Sequence, residues 1–428
     1  MTSAGPLTSA PFRWLLAART SSILGNAVAP IALAFAVLDL TGSAADLGLV
    51  VAARSLANVA VLLFGGVLAD RMRRDVVLVG TSLAAAATQG IVAGLVLSGQ
   101  ATVPTLVVLS VLNGGVAALS LPAAAALVPQ TVPATQLRPA NALLRLSLNA
   151  SGIVGAAGGA GLVAAVGPGW GLAVDAAGFA VAGGLYALVR LPRSSAAGLE
   201  GATRASSVWR DLGEGWQEFS SRRWLWVVVA QFAVLNAAFV GATTVLGPVV
   251  ADGSFGRAVW GLVVAAQTVG LAAGAVVALR WRPRRALAVG VALMAVTAVP
   301  VAALGLAPLV PVLIAAFFAG GVALEIFAIS WDQSVQTHVP ADRLARVYSF
   351  DMVGSFVAIP VGEVVVGPVA EAVGVAPTLL GCAVLIVLAT AAALTVPEVR
   401  RLSVADPRND VSRTVDVRDE HPPDATHR

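Results

Sequence analysis

The stretch Gly65–Leu78 reads GGVLADRMRRDVVL and places five charges, Asp70, Arg71, Arg73, Arg74 and Asp75, within six residues, between two long segments that almost lack them. In hydrocarbon each such charge costs about 2.5–3.5 kcal/mol even on the lenient insertion scale, so the turn belongs in water or headgroups while its flanks do not. The stretch reads as a membrane hairpin with a charged hinge, and its arginines put that hinge on the cytoplasmic side.

The remainder of the chain agrees with that reading. Of 428 residues, 58% are hydrophobic and 12% charged, and the mean hydropathy is +0.86. That leaves too little polar surface to enclose a soluble core of this size. An all-α polytopic membrane protein is expected. A pI near 10.4 would suit a nucleic-acid partner. All 27 basic residues, however, are arginines that punctuate apolar segments instead of forming a stripe, so no nucleic acid is expected. The one cysteine, Cys382, excludes a disulfide framework, and His338 in a turn with His421 and His427 in the tail gives no metal cluster. No metal or cofactor is expected. Arg13 before an apolar run superficially suits a signal peptide. The run continues from Trp14 to Leu38, too long for such a segment, and reads as a retained first span.

At roughly 20 apolar residues per span, twelve segments can be drawn, at about 14–38, 46–68, 76–98, 104–129, 141–166, 170–190, 224–250, 258–279, 286–306, 309–335, 347–371 and 376–396. Arg13, the hinge, Arg138, the 190–223 connector, the 280–285 turn, Arg343, Arg346 and the tail then fall on one side. The other side holds only Arg257, with Asp39, Asp46, Asp252 and Glu371. Such a bias predicts a multi-pass protein of the cell membrane with both termini cytoplasmic, as an even number of spans requires.

The chain also repeats. Val132-Pro133-Ala134 returns as Val339-Pro340-Ala341, Leu137 as Leu344, Gly155 as Gly362, and Ala165-Val166-Gly167 as Ala372-Val373-Gly374, all at an offset of 207 residues. A parallel repeat of six spans predicts two lobes, 1–190 and 223–396, joined by a cytoplasmic connector, 191–222. The tail, 397–428, mixes charges and proline without apolar period and is expected to be disordered. In the connector, Trp209, Leu212, Trp216 and Phe219 recur three to four apart. They read either as an amphipathic helix on the inner headgroups or as part of a solvated linker.

The hinge resembles the signature loop of the major facilitator superfamily, Gly-x-Leu-Ala-Asp-Arg-x-Gly-Arg-Lys, through Gly66, Leu68, Ala69, Asp70, Arg71 and Arg74. Arg73 stands where the family has glycine, and Asp75 where it has a basic residue. The resemblance implies two six-helix lobes working by alternating access. It also implies that Asp70, with Gly66, Arg71 and Arg74, latches the cytoplasmic side by facing the N-terminal end of the eleventh helix, where an anion is favoured. Without the resemblance the hinge reads as an ordinary positive-inside turn. In the fifth segment, Gly155 and Gly159 resemble the superfamily's antiporter motif Gly-Pro-x-x-Gly-Gly, with Ala156 and Ala160 replacing the proline and the last glycine. The bland alternative is tight helix packing without directional meaning. R-x-S-x-x-x-G at Arg19 to Gly25, VLDLTGSA at Val37 to Ala44 and WDQSVQTHVP at Trp331 to Pro340 are similar to the exporter branch that includes enterobactin and macrolide exporters. That branch often carries aspartate where this chain has Asn26, which cannot exchange protons.

Ionisable groups inside spans mark the remaining candidates. Glu325 lies about 16 residues into the tenth segment, roughly 24 Å of helix rise, with Asp332 near the same face. A buried carboxyl can take up and release a proton as a cavity changes sides, so Glu325 and Asp332 are the candidate proton-coupling pair. Glu325 paired with an arginine at a cytoplasmic gate is the other reading. Arg54 and Asp175, entering from the same side, are expected to form an intramembrane ion pair, either structural or an outer gate. Depth and polarity select Asn26, Asn113, Gln231, Asn236 and Gln267, with Trp260 and Phe317, as the cargo path. Few charges there suit a small amphipathic molecule. The expectation is therefore a monomeric, proton-coupled exporter, with an uptake permease or uniporter as the alternative. A membrane-embedded enzyme is disfavoured, since neither His-Glu-x-x-His nor Gly-x-Ser-x-Gly occurs in a span, and Gly-x-x-x-x-Gly-Lys is absent altogether.

Overall fold

The computed structural model describes residues 5–69, 74–189, 216–217, 219–281, 283–340 and 343–403. The hinge residues Asp70 and Arg71, most of the connector and residues 404–428 of the tail lie outside them; the start of the tail, expected to be disordered, is instead a short helix, Pro397–Arg401, with Val399 buried. Twelve described helices are long and apolar enough to cross a bilayer. They are α1 (Ala10–Thr41), α2 (Ala44–Ala69), α3 (Arg74–Leu97), α4 (Val103–Leu127), α5 (Leu137–Val166) and α6 (Pro168–Ala187). After the connector come α7 (Arg223–Gly253), α8 (Arg257–Arg280), α9 (Ala286–Leu306) and α10 (Val310–His338). Helix α11 is in two pieces, Leu344–Phe356 and Ala358–Val373, and α12 is Val375–Thr395. Twelve crossings return the chain to the end where α1 starts, called here the proximal end; the other is the distal end. Gly66 lies in the last turn of α2, which ends at Ala69, and Arg74 opens α3, on either side of the charged turn.

Hydrocarbon gives helices no hydrophobic push toward one another, so small residues that admit close backbone contact decide which helices pair. Within the first six helices α1 packs on α5 and α6, α2 on α4, and α3 on α6. Within the second six, α7 packs on α11 and α12, α8 on α10, and α9 on α12. Each pairing maps onto its counterpart by a shift of six helices. The residues that repeat by sequence make the same contacts. A Cβ on Gly155 would meet the Leu24 carbonyl at 2.6 Å, and one on Gly362 would strike the Ala237 carbonyl, so α5 beds on α1 as α11 beds on α7. Gly167 and Gly374 start α6 and α12 with φ of 92° and 98°, a region that only glycine adopts without strain.

The two halves meet along α2 with α11 and α5 with α8, again a repeat-related pair. These seams are tightest toward the distal end. Gly48 abuts the Glu363 carbonyl, Gly367 the Ala44 carbonyl, and Gly261 the Ala160 methyl and the Ala156 carbonyl. Gly155 and Gly159 pack within their own half, onto α1 at Leu24, Ala27 and Val28. The contact with the opposite half falls to Ala156 and Ala160, the positions where the resemblance expected proline and glycine. In the connector, Phe219 is buried rather than at a headgroup surface, with its ring 5.9 Å from those of Trp216 and Phe350.

Prolines inside helices remove the N–H that would bond the carbonyl four residues back. Pro30 frees the Asn26 carbonyl in α1, and Pro248 follows a π turn at Ala242–Leu246 in α7. Pro300 follows the 3-10 turn Met294–Thr297 in α9, and Pro360 follows the break at Val357 in α11. Replacing Gly362 by alanine is expected to cost about 1–3 kcal/mol through overpacking and to lower the melting temperature of the purified protein. Gly158→Ala, which meets nothing within 4 Å, is expected to be neutral or slightly stabilising in the same assay.

Candidate functional site

A cavity of about 200 Å³ lies between the two halves, bounded by Pro30 and Ile31 of α1, Val51 and Arg54 of α2, Thr243 and Pro248 of α7, Trp260 and Gln267 of α8, and Phe317 of α10. Its walls are largely apolar. Trp260 and Phe317 meet edge to face, with ring centroids 5.7 Å apart and planes at 87°. The indole fits because Gly247 has no side chain where the ring passes. Helices α1 and α7, repeat-related, both present their proline breaks to this space.

Arg54 enters the cavity from ten residues beyond the start of α2, about 15 Å of rise and close to mid-bilayer. Its backbone is pinned: Gly114 of α4 lies against the Arg54 carbonyl, and Asn58 donates to the Gly114 carbonyl at 3.4 Å. The guanidinium donates from Nη2 to Asn26 Oδ1 at 2.9 Å. The expected direct pair with Asp175 is not formed. Asp175, fully buried, accepts instead from Gln89 Nε2 at 2.6 Å, and its Oδ1 has no partner. Helix α1 separates the two charges, with Gly25 against Asp175 and the next residue, Asn26, against Arg54. Asp175 and Glu363 act on the guanidinium electrostatically without bonding it. Glu363 is buried at the α2–α11 seam, where the Ser55 and Thr244 hydroxyls face its carboxyl, and its Oε2 has no partner.

Trp260, Gln267 and Phe317 line the cavity as expected from sequence, and Asn26 reaches it through Arg54. Three others do not. Asn113 donates to Thr88 at 3.3 Å between α4 and α3, Gln231 to Thr390 at 3.3 Å between α7 and α12, and Asn236 to the Ser355 carbonyl at 2.9 Å beside the α11 break. All three are buried and tie helices together within one half. Depth was right for them and the direction around the helix was not. Thr243, Thr244 and Pro248 were missed, although Pro30 and Pro248 inside apolar segments were a usable signal.

Glu325 is half-buried on α10 against Gly274 of α8, with Arg145 of the opposite half and Asp332 as the charges acting on it. It is outside the cavity lining. Asp332 is exposed and accepts from Tyr348 at 3.3 Å. Arg74 and Gly66 are placed only as helix ends, as given above.

At the distal end two clasps cross between the halves. Arg257, first residue of α8, forks onto both oxygens of Asp39 at 2.9 and 2.5 Å, donates to Asp252 at 2.7 Å, and stacks 4.7 Å over the Phe35 ring. A cation at a helix start and an anion at a helix end are each disfavoured by the helix dipole, and here they neutralise one another. Glu371 of α11 accepts from Ser43 at 2.8 Å and from the Ala45 N–H at 3.1 Å, capping α2 from the opposite half.

A family profile described as Major Facilitator Superfamily matches residues 15–363. The fold is similar to that of a nucleoside transporter, NupG, with a TM-score of 0.72 at 15% identity over 90% of this chain and 98% of that one. A bacterial homologue of the human lysosomal transporter Spinster, in an inward-facing and unoccupied conformation, gives 0.68 at 15% identity over 95% and 100%. A D-xylose-proton symporter gives 0.65 at 14% over 92% and 97%. At such identities the likeness is one of fold. No curated protein sequence matches the chain.

The Arg257 clasp is partly exposed, so its worth is about 0.2–1 kcal/mol per pair. Arg257→Gln is expected to raise the distally open population by up to about fivefold. Spin labels at Leu40→Cys and Ser254→Cys, in a Cys382→Ser background, should then show a longer-distance component across the distal end.

Proposed function

The chain belongs to the Major Facilitator Superfamily, and from that premise we propose that it is a proton-coupled exporter of small amphipathic compounds, resembling the enterobactin and macrolide exporter branch. It works as a monomer in the cell membrane, its lobes 1–190 and 223–396 rocking about the cavity with residues 191–222 as the cytoplasmic connector. The observation that supports this reading is a largely apolar cavity bounded by both halves, with two clasps crossing between them at the distal end. The arginine bias supports placing the proximal end in the cytoplasm.

Asp70, Gly66, Arg71 and Arg74 serve as the latch that closes the proximal end when the distal clasps part. Glu325 carries the coupling proton. It lies on the proximal side of the cavity without a hydrogen-bond partner among the described residues, and Arg145 of the opposite lobe approaches it only while the lobes hold this arrangement. Asp332, on the same helix toward the cytoplasm, relays the proton from water.

Two measurements test this. In proteoliposomes, a proton gradient is expected to drive fluorescent amphipathic dyes against the direction of proton flow. Glu325→Gln should abolish the gradient dependence while leaving downhill exchange. Dye accumulation along the direction of proton entry would assign uptake instead, and an unchanged gradient response would remove Glu325 from the mechanism. Asp70→Asn is expected to leave membrane insertion intact and to cut transport at least about tenfold, the loss of a latch interaction of roughly 1.4 kcal/mol.

A further inference from the structure

The cavity that serves as cargo site in the reading above has an uneven supply of hydrogen-bonding groups. Thr243 and Thr244 direct their hydroxyls to carbonyls of their own helix, at 2.8 and 2.7 Å from Phe239 and Val240. Arg54 spends one N–H on the neutral amide of Asn26, and the rest of its fork makes no hydrogen bond among the described residues. The Gln267 amide is likewise uncommitted. No carboxylate lines the cavity. A guanidinium in this position carries a full charge in a low-dielectric space, met only by an amide and by two carboxyls, Asp175 and Glu363, that act from a distance.

We infer that Arg54 is the anchor for an anionic head group, and that the cargo is a compact organic anion, a carboxylate or similar oxyanion joined to an aromatic or branched apolar body. The planar fork suits a bidentate carboxylate, which also uses the donors left over. The apolar body lies against Ile31, Val51 and the Trp260–Phe317 pair. A cavity of about 200 Å³ is below the ~300–1,000 Å³ usual for drug-sized ligands, so the body is small. A cationic cargo is disfavoured here, since it would meet Arg54 at close range with no carboxylate on the wall.

Asn26 has a positioning role. Four residues before Pro30 in α1, it aims the guanidinium without neutralising it. An aspartate in its place would satisfy the charge internally and remove the site's affinity for an anion.

The test uses the full-length protein in lipid nanodiscs and calorimetric titration with three matched probes, 2-naphthoate, 2-naphthalenemethanol and 2-naphthylmethylamine. A hydrogen bond to a charged group contributes about 1.5–3 kcal/mol, so naphthoate is expected to bind at least about tenfold tighter than the alcohol, and the amine weakest. Arg54→Gln should bring naphthoate to within about twofold of the alcohol, and Arg54→Lys should keep part of the preference. Asn26→Asp should also lose it. Equal or better binding of alcohol or amine by the unaltered protein overturns the inference whatever the variants do, as does binding of none of the three. Preference unchanged in Arg54→Gln overturns it as well. Proton-driven export of neutral dyes by a protein with no anion preference would sink this inference and leave the exporter reading in place. Arg54-dependent naphthoate binding without proton-driven transport would do the reverse.

Discussion

Backbone laid against backbone is the contact on which this architecture rests. In lipid an exposed leucine gains nothing by leaving its surroundings, so helices stay together through dispersion at close range and through polar groups that have no water to turn to. The chain supplies glycine where a neighbouring carbonyl passes: Gly114 at Arg54, Gly362 at Ala237, Gly270 at Phe318, Gly321 at Gln267. Within each half these contacts are multiply reinforced, since every helix packs on at least one other of its own six and most on two. Between the halves, among the described residues, the same device appears along two seams, reinforced by the two distal clasps and by the Ser55 hydroxyl facing the Glu363 carboxyl across the α2–α11 seam. The distal clasps are worth of the order of 1 kcal/mol each, far less than the packing within either half.

Charge placement follows from that mechanics. A guanidinium near mid-bilayer is costly unless it faces water, a partner or a cavity. Arg54 faces the cavity, with Gly114 fixing its backbone and Asn26 its head. The carboxyls nearest it are held elsewhere, Asp175 by Gln89 and Glu363 at the seam beside Gly48. Glu363 therefore occupies a position where parting the lobes would expose it, whereas Asp175 is enclosed by α1, α3 and α6 of a single lobe. The two acids look alike in sequence and differ in consequence because one lies on a surface that moves.

How much of this was legible in the sequence depended on whether the signal ran along the chain or around a helix. Span positions and the six-helix repeat run along it, and the 207-residue offset picked out residues such as Gly155 and Gly362 that turn out to make equivalent contacts. Helix ends extend past the apolar windows because caps such as Ser9 and the Thr102–Thr105 box lie outside them. The direction around a helix is the harder quantity. In spans apolar on nearly every face, no periodicity tells a cavity wall from a lobe interior. Asn113, Gln231 and Asn236 have the depth and polarity of cargo ligands, yet each is spent on a neighbouring helix of its own lobe. Arg54 and Asp175 matched in depth too, and the helix lying between them was invisible in one dimension.

The prolines resolve part of that ambiguity, because a broken backbone in hydrocarbon is tolerated only where protein or a water-filled space satisfies the freed carbonyls. Pro30 and Pro248 occur in α1 and α7, the repeat-related helices that both border the cavity. Their breaks put the Asn26 carbonyl and the π turn beside the cargo space and leave the stiff seams elsewhere. Missing a backbone hydrogen bond, each helix resists bending less at these points than along the glycine contacts that hold its lobe. Asn26 stands at one of these two points and holds Arg54, so movement there and occupancy of the anion anchor act on the same hydrogen bond. In this arrangement a ligand that engages the guanidinium also bears on the helix whose distal end carries Asp39, the residue that Arg257 clasps.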